Sequence, residues 1–205
     1  MAAKTAGDYP KQWRDWCKAV TDKKVQPSAK LNRFAARYRA ARLFHGIHCE
    51  PTANKRRSWE QGFSALLKVF LAYTAVETLA KGLPASHQVF RLNDARIESM
   101  EIARRLRRSR RLFHLLIAEV DTEGLRRRLQ ALVDNNSDDV FCVAGAIRHL
   151  VAHGWITAGG ADARSISSQQ CLLDLANAAL TFCDEKFADF CSGQLQTSSA
   201  SAVKR

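Results

Sequence analysis

Arg148, His149 and His153 fall within six consecutive positions of the segment Ile147-Arg148-His149-Leu150-Val151-Ala152-His153-Gly154. An imidazole titrates near neutral pH and can both accept and release a proton. A guanidinium stays charged and grips phosphate oxygens through its planar fork. The group therefore has the parts for proton transfer at a phosphodiester. The same two histidines, four positions apart, also have a spacing that can clasp zinc, with Cys142 or the trio His45, His48 and Cys49 as further donors. Leu150, not a glutamate, follows His149, so the pair lacks the base of a metalloprotease helix.

The flanking residues determine how these side chains are presented. Val140-Phe141-Cys142-Val143-Ala144 is apolar and suits a helix, and Gly154 suits its end because it adopts the left-handed conformation without a Cβ clash. Ser137, Asp138 or Asp139 caps the start and brings acid to the positive end of the helix. At about 100° per residue, His149 and His153 share a face while Arg148 points well away from His153. Either the turn at Gly154 swings His153 round, or a second copy of the helix supplies the missing partner across a two-fold axis.

Arg148-His149-Leu150-Val151-Ala152-His153, followed by Gly154, resembles the Arg-x4-His motif of the HEPN superfamily, all-helical proteins of which many are metal-independent endoribonucleases. Upstream, Thr74-Ala75-Val76-Glu77-Thr78-Leu79-Ala80-Lys81 is similar to the family's polar residue three places before a glutamate, with a basic residue four places after it. The two stretches occur in the family's order, and the resemblance covers about residues 59 to 190. It implies that His153 is general base or acid, that Arg148 steadies the phosphate, and that His149, at the family's variable polar position, assists. Glu77 would hold a motif arginine or histidine, with Thr74 and Lys81 in support. An ion pair between Glu77 and Lys81 is the local alternative and is compatible with that role.

The resemblance further implies a homodimer whose motif helices face one another and share one composite site, with neither metal nor cofactor. RNA would be cut by attack of its 2′-hydroxyl to leave 2′,3′-cyclic phosphate ends, and DNA would be spared. Such nucleases commonly act as toxins or in phage defence, silenced by a partner, so an inhibitory antitoxin or regulatory protein is expected. The alternative is a catalytically inactive helical module that binds nucleic acid or protein.

Charge points to the same kind of partner. Over 205 residues, Lys and Arg number 32 against 20 Asp and Glu, a net charge of +12 that favours a polyanion. Arg104, Arg105, Arg107, Arg108, Arg110 and Arg111 form a one-signed run, and Arg126, Arg127 and Arg128 add to it. The run lacks alternating acids, so a phosphate track is expected to bind RNA through its backbone. No aromatic residue is interleaved, so these clusters do not signal base stacking. The six cysteines form no CxxC pair and fit scattered thiols of a reducing cytosol. Met1 to Lys24 mixes charges with tryptophans and offers no signal-peptide run, and the apolar stretch 63–83 is interrupted by Lys68, Glu77 and Lys81. A cytoplasmic chain without a membrane span is expected.

Periodicity predicts an all-α helical bundle, HEPN-like over residues 58–192, with an N-terminal helical extension at 1–57 and a disordered Ser- and Gln-rich tail at 193–205. The extension carries a short amphipathic helix with Trp13, Trp16, Cys17 and Val20 on one face, then a helix over 29–44. Ser58 and Gln61 form a capping box before an enclosed central helix, 59–81. One long basic helix is expected over 95–119, capped by Asn93 or Asp94, another from Thr122 or Glu123, and a last from Ser167 or Ser168 to about Phe190. His87 and His114 read as ordinary polar positions.

Overall fold

Apolar residues recur nearly all round the segment that forms α3 (Arg57–Gly82), and the chain buries one side of them fully: Leu66, Val69, Ala72, Val76 and Leu79 are inaccessible to solvent, while Phe63, Leu67, Phe70 and Leu71 are half-buried. By length and hydropathy this helix could cross a membrane, yet its burial against protein is the pattern of a core helix. The computed structural model describes residues 6–48, 57–84, 90–156 and 163–202, with side chains for 7–48, 58–84, 90–156 and 163–194. All its regular elements are helical. They run α1 (Trp13–Thr21), α2 (Ala29–Leu43), α3, α4 (Met100–Leu106), α5 (Arg110–Glu119), α6 (Glu123–Val133), α7 (Phe141–Ala152) and α8 (Ile166–Ala202). Short 3-10 turns lie at Ala6–Asp8 and Leu92–Asp94. Extended pairing among the described residues is limited to an isolated antiparallel bridge between Glu98 and Asp139. The chain is all-α.

The helices group into two compact units. The first holds α1, α2, α3 from Thr74 onward and α8 from Leu180 onward. Its centre is Phe187, whose ring lies 5.6 Å from Trp13, 6.4 Å from Trp16 and 5.4 Å from Phe34 between centroids. The amphipathic reading of α1 is right for Trp16, which is buried. Cys17, expected beside it, is exposed, because it follows Trp16 by about 100° and turns to solvent. Buried Tyr38 donates to Asp184 Oδ2 at 2.9 Å, and Asp184 Oδ1 accepts the Lys11 amide at 2.9 Å. Burial, then the neighbouring carboxylate, pushes the Tyr38 phenol well above its ordinary value.

The second unit holds the remainder of α3 and α8 with α4 to α7. Within it α5, α6 and α7 pack on one another, and Leu112, Leu116, Leu129, Leu132, Val143, Ile147 and Leu150 are buried. Buried Asp139 organises the unit. Its Oδ1 accepts the amides of Ile97 at 3.3 Å and Phe141 at 3.2 Å, and its Oδ2 accepts Arg128 Nη2 at 2.6 Å and Nε at 3.0 Å. One carboxylate thus serves the start of α7 and ties α6 to the segment before α4. Tyr73 stacks on Phe141 at 4.9 Å, and its ring lies where a Cβ on Gly145 would meet it at 3.3 Å.

Several boundaries depart from the sequence pattern. The long basic helix over 95–119 is two helices, α4 and α5, with a break at Arg107-Arg108-Ser109. Arg107 explains the break: its guanidinium donates to Leu132 O and Ser137 O and pairs with Asp138 at 2.7 Å. Those contacts fix Arg107 against the α6–α7 connection, where a straight helix would carry its surface past it. The cap of α4 is Ser99, whose hydroxyl accepts the Ile102 amide, and not Asn93 or Asp94, which form a 3-10 turn. Ser58 lies inside α3, so it is not the N-cap. Ser165, which accepts the Ser168 amide, starts α8 ahead of Ser167. Gly193 does not end α8. The helix runs to Ala202, past the end expected near Phe190. Cys49, His87 and the Gly159-Gly160 turn lie outside the described residues.

Candidate functional site

The end of α7 is built by its glycine. Gly154 has φ +70°, its amide donates to Val151 O at 3.1 Å, and the Trp155 amide donates to Leu150 O at 2.9 Å. This is a Schellman motif, which satisfies the last carbonyls of a helix and reverses the chain. His153 stays in the right-handed helical region at φ −91°, so it remains on the face of His149. Their rings lie 4.6 Å apart. The reversal at Gly154 then returns Trp155 to the same end of the helix, where its indole stacks on His153 at 4.8 Å and meets His149 edge-on at 5.8 Å. Asp121, from the α5–α6 connection, brings Oδ2 to 3.6 Å from His149 Nε2, beyond hydrogen-bond length but close enough to pair with an imidazolium.

Two imidazoles, an indole and a carboxylate thus meet at one helix end. Trp155 and Asp121 are absent from the sequence motif. Trp155 lies beyond the helix whose spacing was read, and only the left-handed glycine before it signals a return of the chain.

Exposure along α7 is sharply graded. Phe141 to Ile147 and Leu150 are buried, Arg148, His149 and Val151 are half-buried, and Ala152 to Trp155 are exposed. The surface that α7 offers to solvent or to a second copy is its last turn, not its length. Arg148 lies on that turn, but five residues at about 100° each set it about 140° round the helix from His153. Within one chain the guanidinium and the His153 imidazole diverge.

Thr74, Glu77 and Lys81 belong to the other unit. Glu77, with 18% of its side chain exposed, pairs with Lys81 at 3.2 Å, the i, i+4 contact expected from the sequence. Thr74 provides the carbonyl that accepts the Thr78 hydroxyl at 2.6 Å.

The basic run separates into three kinds of arginine. Arg105, Arg107, Arg126 and Arg128 hold the fold: Arg105 pairs with Asp174 at 2.7 Å, Arg126 donates to Val120 O at 2.6 Å, and Arg107 and Arg128 make the contacts described above. Arg104 and Arg127 are exposed and pair locally with Glu101 and Glu123. Arg108, Arg110 and Arg111 are exposed and, among the described residues, have no ion-pair partner. Acids thus pair with part of the basic run: Glu101 and Glu123 from the same helices, and Asp138, Asp139 and Asp174 from other segments. No protein-family model, curated protein or solved structure matches this chain.

Among the described residues, the pieces of the zinc alternative do not meet. Cys142 is seven residues from His149, about 10 Å of helical rise, and its thiol donates to Asp139 O at 3.0 Å in the interior. Burial and the Asp139 carboxylate push that thiol up to about 12, the reverse of what a thiolate ligand needs. His45 and His48 are exposed beside a cavity of about 500 Å³ that Lys68 and Glu60 also line. Among the described residues no three metal-donor side chains converge.

Proposed function

We propose that this chain is a metal-independent endoribonuclease of HEPN type, acting from the end of α7. The observation that carries the reading is the pair of imidazoles 4.6 Å apart at the end of α7, that of His153 exposed and that of His149 half-buried beside it. One imidazole, neutral, takes the proton of a ribose 2′-hydroxyl. The 2′-oxygen attacks phosphorus, the bond from phosphorus to the 5′-oxygen breaks, and the other imidazole, protonated, gives its proton to that leaving oxygen. The products are a 2′,3′-cyclic phosphate and a 5′-hydroxyl, and each histidine regains its starting form by exchange with water. Arg148 stabilises the charge that builds on the phosphorane.

Because Arg148 and His153 diverge on one helix, the composite site takes Arg148 from one copy and His153 from another, through a contact confined to the last turn of each α7. Arg108, Arg110 and Arg111 draw in the RNA backbone. The biological setting is a cytoplasmic toxin or phage-defence effector held silent by a regulatory protein. A helical module that binds RNA without cutting it is the second reading, favoured by the half-burial of Arg148.

The test is RNA incubated with the purified chain in excess chelator, with the ends of the products analysed. Cyclic phosphate ends, lost at any position given a single 2′-deoxy substitution, are expected. Cleavage that ignores the 2′-deoxy substitution or needs a divalent ion contradicts the mechanism. Retention of uncut RNA leaves the binding module.

A further inference from the structure

Trp155 keeps 47% of its surface in solvent even with two imidazoles against it. A lone exposed apolar side chain is ordinary. Trp155 differs from Met100 or Ile166, which are also exposed, because its position is fixed twice. The Gly154 reversal anchors its backbone to Leu150 O, and the His153 ring lies against its indole with planes 25° apart. A flat, preset π-surface next to a proton-transfer pair has a specific chemical use. Every nucleobase has a π-face, and single-stranded nucleic acid is commonly held by stacking successive bases on such side chains.

We infer that Trp155 is a stacking platform for one nucleobase of a single-stranded RNA, adjacent to the phosphate that reaches the histidine pair. The inference rests on the ribonuclease reading and supplies what that reading lacks, a contact to a base. The arginines of the basic run reach only phosphates and cannot set which nucleotide is centred on the histidines. Trp155 can. The Asp121 carboxylate beside His149 repels phosphate, so the backbone passes on the His153 side, against which the indole lies. Purines, with the larger π-face, are preferred over pyrimidines at the stacked position.

The experiment titrates the full chain with short single-stranded 2′-O-methyl oligonucleotides, purine-rich or pyrimidine-rich, which cannot be cut by 2′-hydroxyl attack. The emission of Trp155 is obtained as the difference between the natural chain and Trp155→Phe. Quenching of that emission is expected, with tighter binding of the purine-rich probe. Trp155→Leu, which keeps an apolar side chain but removes the π-face, weakens binding about tenfold, and Trp155→Phe largely preserves it. Thermal melts of both variants separate lost stacking from lost folding.

If all-ribose RNA is cut and Trp155→Leu binds and cuts it as the natural chain does, the platform is refuted and the ribonuclease reading survives. Quenching by the 2′-O-methyl probe without cleavage of the all-ribose strand supports the platform and sinks the ribonuclease reading. Neither binding nor cleavage refutes both.

Discussion

The imidazole of His153 lies against the indole of Trp155, ring centroids 4.8 Å apart and planes 25° apart, although the two residues fall on opposite sides of the glycine that ends α7. Sequence proximity does not produce this contact; the left-handed φ of Gly154 does. Apart from its chain neighbours, no atom of the described residues lies within 4 Å of where a Cβ on that glycine would sit, so substitution there meets conformational strain. Gly154→Ala is expected to lower stability by about 1 kcal/mol in urea unfolding, with Gly154→Asn between it and the natural chain. Equal midpoints for all three would show that Trp155 is not held by the turn.

A second prediction concerns Asp139. Its carboxylate's four hydrogen bonds join the segment before α4, the middle of α6 and the start of α7. Asp139→Ala strands the Arg128 guanidinium and two amides in a partly buried setting and is expected to cost about 3 kcal/mol or more. Arg128→Ala is expected to cost less, because Arg96 lies 3.6 Å from the same carboxylate and can offset its charge. Denaturant midpoints of the two variants check the order, and the reverse order contradicts the role given to Asp139.

The arginines give a third, differential prediction. Arg108→Ala, Arg110→Ala and Arg111→Ala are expected to leave the melting temperature unchanged and each to reduce the salt dependence of RNA binding by about 0.7 in log–log slope. Arg107→Ala, by contrast, unfolds the α4–α5 corner and lowers the melting temperature, since it loses contacts to Leu132, Ser137 and Asp138. A salt slope that falls for Arg107→Ala at unchanged stability, or stays fixed for all three exposed arginines, refutes the division.

These arginines also show where the sequence was legible and where it was not. Local periodicity identified the all-α class and the apolar sides of α2, α3 and α8, because each turns such a side inward at helical spacing. It joined α4 to α5 because nothing in Arg104 to Arg111 reveals that Arg107 has a long-range partner. At the site, the His149 and His153 pair followed from i, i+4 spacing, and the divergence of Arg148 followed from the same arithmetic. Trp155 and Asp121 were missed for one reason: both reach the site from connections, and connections have no period to read.

Thiol chemistry supplies a fourth prediction. Burial pushes Cys142 and Cys191 up to about 12 and Cys171 up to about 11, from an ordinary 9.0. The folded chain thus holds these protons at a pH where the unfolded chain releases them. The resulting stability is full below about pH 9 and is lost as pH rises toward 11 to 12. Urea midpoints are therefore expected to fall steadily above pH 9, and site-resolved alkylation is expected to modify Cys17 in the native chain but Cys142, Cys171, Cys183 and Cys191 only on unfolding. Native-state modification of Cys142 would overturn the burial argument.

The most direct measurement of the central claim is cleavage of single-stranded RNA in excess EDTA by the natural chain, His153→Ala, Arg148→Ala and an equimolar mixture of the two variants. The account predicts activity for the natural chain and its loss in either variant with the fold retained. It also predicts partial recovery in the mixture, where a mixed dimer rebuilds one site from the intact Arg148 of one copy and the intact His153 of the other. Undiminished cleavage by either variant alone contradicts it.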